Sequence, residues 1–180
     1  MEKRVNVSKM ISLLSILLLL WVILQFLAPY MFPPNTIQNL SGLPGVEDNA
    51  VLIRNMSYPW NIVYSIGDRL CHQRSDRSFF LNENQMPFCA RCTGIWLGLA
   101  IGLGVSMRYM FGLSERLILF IVIGILPLAI DGLFQLFGLW ESNNILRVTT
   151  GVLAGFTTGI AIAVIVDEIR ETQFFQKFFK

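Results

Sequence analysis

Four stretches of this chain are long and apolar enough to cross a bilayer as helices, and nothing else in the sequence constrains its fold so strongly. The hydrocarbon core is about 30 Å thick and asks for about 20 mainly apolar residues in a helix. Residues 10–32, about 92–111, 117–140 and 145–166 meet that demand. Charge enters these stretches at Arg108, Asp131 and Arg147. The chain as a whole is 54% hydrophobic and 14% charged, against about 25% charged in soluble domains. Lipid offers no partner to a bare peptide group, so the spanning segments must be helical. The expected fold is an all-α integral membrane protein: a four-transmembrane-helix bundle with an outer-face loop carrying a short interfacial helix. The first stretch is longer than the roughly 7–15 apolar residues of a signal peptide, and no small-x-small cleavage site follows it, so it reads as a retained helix.

Orientation follows from where Lys and Arg flank the spans. All four lysines (Lys3, Lys9, Lys177, Lys180) lie near the termini. With Arg4, Arg108, Arg116 and Arg170 they fall on one side of a four-span bundle, which makes residues 1–9 and 167–180 cytoplasmic in a cell membrane. The loop 33–90 and the link 141–144 then face outward, although that loop also holds Arg54, Arg69, Arg74 and Arg77. Pro33-Pro34 stops the first helix. Within the loop, Tyr58, Trp60 and Tyr64 suit a short helix near 58–70 at the membrane interface. Phe174, Phe175, Phe178 and Phe179 give the tail an amphipathic, anchoring face.

The region 91–166 gathers three helices. Gly94, Gly98 and Gly102 recur every four residues in the second helix, and Gly151, Gly155 and Gly159 do so in the fourth. Small residues at this spacing let helix backbones approach closely, the main route to tight association in lipid. The second and fourth helices are therefore expected to pack tightly, with each other as one arrangement.

Polar residues inside the spans need a reason. Asp131 and Gln135 share a face of the third helix. At about 1.5 Å per residue, Asp131 lies roughly 13 Å from a helix end at Trp140. A carboxylate there faces the bundle interior and marks a functional site by default. Pro127 frees a carbonyl one turn earlier. Arg147 or Arg91 is the natural partner, and Glu141 and Asn144 add polar groups at the same level. A packing ion pair explains the same residues without chemistry.

Chemistry concentrates between positions 71 and 92, which hold all three cysteines and the one histidine. Cys89-Ala-Arg-Cys92 has C-x-x-C spacing at the start of an apolar helix, where free amides and the macrodipole favour a thiolate. Three readings are open. Cys71, His72, Cys89 and Cys92 supply a tetrahedral Cys3His set for zinc or another divalent metal, with His72 alternatively behind the ligands. Cys89 and Cys92 form a redox pair exchanging with Cys71. One disulfide ties the loop to the helix and leaves a spare thiol. Arg74, Arg77, Ser78, Arg91 and Arg147 can also be read as an anion site for lipid phosphate.

Cys71-His72-Gln73, Arg77-Ser78-Phe79 and Pro87-x-Cys89-Ala90-Arg91-Cys92-Thr93-Gly94 form one motif block. Asp131-Gly132-x-x-Gln135, Glu141-Ser142-x-Asn144-x-x-Arg147 and Gly151 form a second. In these blocks, over roughly residues 60–165, the chain resembles the prokaryotic multi-pass membrane family catalogued as domain of unknown function 2085. The resemblance implies an integral membrane protein whose two blocks form one site, and implies no reaction.

Together these readings place Cys71, His72, Cys89 and Cys92 above Asp131, Gln135, Glu141, Asn144 and Arg147, with Gln73, Arg77, Ser78 and Arg91 around them. The leading expectation is a metal-binding membrane protein at the outer face, in its catalytic form with Asp131 or Glu141 as acid–base and Arg147 beside them. The alternatives are a membrane thiol–disulfide oxidoreductase and a non-catalytic scaffold or small transporter. The bilayer is the partner implied, with a lipid or small molecule as substrate. A formal charge of +2 gives no footprint for nucleic acid, and nothing in the sequence sets an oligomeric state.

Overall fold

The computed structural model describes residues 3–109 and 111–171. Four of its helices are long and apolar enough to cross a membrane: α1 (Lys3–Leu27), α4 (Ala90–Arg108), α5 (Glu115–Leu136) and α6 (Asn144–Glu171). Two short helices, α2 (Ala50–Arg54) and α3 (Trp60–Leu70), precede an antiparallel hairpin of β1 (Ser78–Leu81) and β2 (Asn84–Cys89) in the connection from α1 to α4. The protein is an all-α membrane protein with one small two-stranded sheet. The phenylalanines of the tail lie outside the described residues.

The α4–α6 pair forms the centre of the bundle. A Cβ on Gly98 would collide with the Val152 carbonyl and stand 2.7 Å from the Phe156 amide, and one on Gly94 would stand 2.6 Å from the Val148 carbonyl. The reverse contacts match: Gly151 faces the Arg91 carbonyl, Gly155 that of Ile95 and Gly159 that of Leu99. Positions ascend together on both helices, so the two run parallel, backbone against backbone, as small-residue ladders allow in lipid.

The other spans flank this pair. Ser15 of α1 reaches the Ala100 carbonyl at 3.5 Å, and Ile11 packs with Leu103 and Ala163. Trp21, Phe88 and Trp96 meet edge to face at ring separations of 5.9 to 6.3 Å. On the opposite flank Leu117 of α5 packs against Ile160 and Val164, and Phe120 against Phe156. Much of the outer surface of α5 is exposed Ile, Leu, Val and Phe, a face suited to hydrocarbon rather than water.

The C-terminal ends of α5 and α4 differ from the expected ones. The third span stops at Leu136 rather than at 140, because Gly138 takes a left-handed φ of 67° and the Leu139 amide turns back to the Phe134 carbonyl at 2.9 Å. This is a glycine C-terminal stop. Asp131 therefore lies five residues from the helix end, about 7.5 Å at 1.5 Å per residue, nearer the polar boundary than expected. The second span ends at Arg108, where Tyr109 turns extended, and Ser114 caps α5 by accepting the Leu117 amide at 3.3 Å.

The hairpin replaces what the sequence suggested was irregular loop. Asn82 and Glu83 both adopt positive φ, 50° and 59°, the two-residue geometry whose twist suits a hairpin. Below it, Ala28, Ile37, Leu40, Ile53, Met56, Val63 and Tyr64 form a separate small core.

Candidate functional site

The three cysteines reach one place from two directions. Helix α3 buries Val63, Tyr64, Gly67 and Asp68, positions that share one helical face. Directly after it Cys71 turns extended, its amide still on the Gly67 carbonyl at 2.9 Å. Gly67 also admits the Pro87 carbonyl, where any side chain would collide, and Gln73 Nε2 donates to that same carbonyl at 2.8 Å. The helix that ends at Cys71 is thus docked on the strand that ends at Cys89. Cys89 is both the last residue of β2 and the cap position of α4, and Cys92 lies in the first turn of α4.

The result is a trio of free thiols whose sulfurs all lie within 4.8 Å of one another. Cys71 Sγ accepts the Cys89 amide at 3.3 Å and the Gln73 amide at 3.5 Å. Cys89 is held far below the ordinary thiol range, first by hydrogen bonds from the Cys71 and Cys92 thiols, then by the Cys92 and Arg91 amides at the helix start. Cys71 is pushed up to about 11, first by its bond to Cys89 and also by burial. The trio behaves as one thiolate shared by two thiols, because a second negative charge so close would be repelled. Sulfurs around a zinc ion, at about 2.3 Å each, are about 3.8 Å apart in a tetrahedron, so a trio bounded at 4.8 Å closes on such an ion with sub-ångström shifts.

In metal-free protein Cys89 is expected to alkylate before Cys71 in limiting iodoacetamide. Its rate is expected to stay flat from pH 6 to 9, since the thiolate is already formed, while that of Cys71 climbs toward about 11. Peptide mapping by mass spectrometry reads both rates.

His72 is not part of the trio. It is exposed, and its Nδ1 lies 3.2 Å from the Gly42 carbonyl oxygen. Extended backbone sends successive side chains to opposite faces, so Cys71 and Gln73 point inward, both buried, and His72 between them points out. Of the four residues in the expected Cys3His set, the three cysteines come together and His72 stays outside.

Beneath the trio lies a second polar group. Arg91, which precedes Cys92, donates to Asp131 of α5, whose side chain is 2% exposed. Both Arg91 and Arg147 were candidate partners of Asp131, and the ion pair is with Arg91. Arg147 is buried and donates to Asn144 Oδ1 at 2.8 Å, and Asn144 Nδ2 donates to the Ser78 carbonyl at 3.2 Å. Asp131 Oδ1, Gln135 Nε2 and the Nε atoms of Arg77, Arg91 and Arg147 are buried without hydrogen-bond partners within the protein. Glu141 is exposed in the link between α5 and α6.

Asp131→Ala is expected to destabilise the protein by about 3–5 kcal/mol, because it leaves Arg91 as an uncompensated, partly buried charge. Arg91→Met combined with Asp131→Leu is expected to recover most of that loss. Thermal unfolding in detergent measures both variants, and wild-type stability in Asp131→Ala would contradict the pairing.

Sequence reasoning overlooked Asn84 and Gln85, which hold the extramembrane segment in place. Asn84 accepts the Ile37 amide at 2.9 Å and donates to the carbonyls of Pro29, Phe32 and Pro33. Gln85 accepts the Leu40 amide at 2.9 Å and donates to Gln73 and Ser78. Tyr64 donates to the Gln85 carbonyl at 2.8 Å. The available signal was two adjacent amides directly before the apolar run Met86-Pro87-Phe88. Asp68, buried and bonded twice by Asn49, does similar work.

A protein-family model described as a predicted membrane protein (DUF2085) matches residues 71–161, the span from the first cysteine through the glycine ladder of α6. An uncharacterised protein of Methanocaldococcus jannaschii is 38% identical over 110 residues, which are 59% of this chain and 70% of that relative. An uncharacterised protein of Methanothermobacter thermautotrophicus is 36% identical over 93 residues, 52% of this chain and 82% of that relative. No solved structure matches the chain. The matched region contains the thiol trio, the Arg91–Asp131 pair and both glycine ladders, and the chain belongs to the DUF2085 family of predicted membrane proteins.

Proposed function

We propose that this protein is a metal-binding membrane protein in which Cys71, Cys89 and Cys92 hold a zinc-like ion at the outer face of the cell membrane. The observation that supports it is the trio itself: three free thiols from α3, β2 and α4 within 4.8 Å, with Cys89 and Cys92 only partly covered. Three protein ligands and one open position is the pattern of a catalytic rather than a closed structural zinc site. Bound there, such an ion would polarise an oxygen or lower the pKa of a water at the open position. The chain's own groups suit the rest of that chemistry. Asp131 Oδ1 is buried without a hydrogen-bond partner and would take the proton, Arg91 fixes that carboxylate, and Arg147, with its buried unpartnered Nε, would answer developing negative charge. The outward orientation rests on Lys3, Arg4, Lys9, Arg108 and Arg116 flanking the opposite ends of the spans.

A second reading, thiol–disulfide exchange with a partner protein, is favoured by the low Cys89 thiol. Cys89 would attack the partner's disulfide and Cys92 would resolve the mixed disulfide, the two electrons passing from the dithiol to the partner. Elemental analysis of purified protein separates the readings. Near-stoichiometric zinc supports the metal site. Metal-free protein whose thiol labelling changes reversibly on mild reduction contradicts it in favour of exchange.

A further inference from the structure

Among the described residues at the polar end of the bundle, Arg77 shares Asp76 with Arg74, and Arg147 has no carboxylate in an ion pair with it. Arg74 engages Asp76 with two bonds of 3.0 Å each, and Arg91 engages Asp131. Arg77 Nε stays 3.6 Å from Asp76 Oδ2, a long ion pair beyond hydrogen-bond reach, and is buried without a hydrogen-bond partner. Arg147 is 5% exposed, its Nε is also unpartnered, and its neutral bond to Asn144 offsets no charge. Arg147 donates to Asn144 Oδ1 at 2.8 Å, and Asn144 Nδ2 donates to the Ser78 carbonyl at 3.2 Å. The Asn144–Ser78 bond ties the start of α6 to the hairpin residue that follows Arg77.

A buried arginine without a counter-charge is costly in an apolar surround. Here it also sits in the first turn of a 28-residue helix, where free amides and the macrodipole add further preference for an anion. We propose that Arg147, with Arg77 beside it, binds a phosphoryl group at the head of α6. Planar guanidinium forks match tetrahedral phosphate oxygens and can share one group among them. The start of α6 marks the end of an apolar span, the depth at which lipid headgroup phosphates lie. The phosphoryl group comes from a lipid headgroup or from free phosphate. The inference does not depend on metal at the thiol trio, since none of its residues is a cysteine.

The test uses the full chain, delipidated in a maltoside detergent, with calorimetric titration of two probes, inorganic phosphate and dihexanoyl phosphatidic acid. Saturable binding of the lipid alone assigns the headgroup as source, and binding of both assigns the phosphoryl group itself; either result supports the site. Arg147→Gln is expected to abolish binding and Arg77→Gln to weaken it at least tenfold, with exposed Arg54→Gln unchanged. Arg77 is half-buried just ahead of the hairpin, so Arg77→Gln decides the matter should Arg147→Gln fail to fold. Absence of saturable binding to either probe, or affinity in folded Arg77→Gln within twofold of wild type, overturns the proposal.

Discussion

Cys71→Ser is expected to strip the protein of tightly bound zinc while leaving the bundle folded. In the proposed site Cys71 would be the ligand from the end of α3, with Cys89 and Cys92 at the head of α4, so its loss would remove both a donor and a link between α3 and that head. Losing a direct ligand should cost more than the roughly 10–100-fold that outer partners of a metal site cost. Zinc content is expected to fall from about one ion per chain to background, with metal-dependent stability lost as well. Metal at 1,000 times its dissociation constant stabilises a folded state by about 4.1 kcal/mol, so a chelator should lower the melting temperature of wild type and leave Cys71→Ser unmoved. His72→Ala is expected to retain zinc, because that ring points away from the trio. Zinc retained by Cys71→Ser would contradict the three-thiol site.

Gly98→Leu is expected to prevent α4 and α6 from pairing. Even a single Cβ at this position collides with the Val152 carbonyl, and backbone cannot step aside as a side chain can. Gly98→Ala should cost about 1–3 kcal/mol through overpacking, and leucine should exceed what the pair can absorb by shifting. Little hydrophobic drive holds helices together in lipid, so close packing is most of the association. Gly112→Ala serves as the control, since nothing lies within 4 Å of a Cβ there. Denaturant unfolding followed by tryptophan fluorescence is expected to show loss of the native state in Gly98→Leu and little change in Gly112→Ala. Equal stability of the two would contradict parallel α4–α6 packing.

The fold class was legible because lipid enforces it: an apolar run of the right length has no alternative to a helix. The α4–α6 pairing was legible for a related reason, since few causes produce Gly94-x3-Gly98-x3-Gly102 facing Gly151-x3-Gly155-x3-Gly159. The hairpin was not, because its turn uses Asn82 and Glu83 without a glycine, and Pro87 argues against a strand. It tolerates Pro87 because the sheet has only two strands and its register is irregular between Ser78 and Phe80. The gathering of the cysteines followed from their clustering in sequence. The exclusion of His72 did not, because it depends on the chain becoming extended at Cys71. Likewise Asp131 had two candidate arginines in sequence, and only helix register brings Arg91 rather than Arg147 to it.

Zinc K-edge X-ray absorption on the purified full-length protein tests the central claim most directly. The expected result is three sulfur neighbours at about 2.3 Å and one lighter oxygen or nitrogen neighbour at about 2.0–2.2 Å. A shell of oxygen and nitrogen alone, or protein that binds no zinc after reduction and reloading, would contradict it.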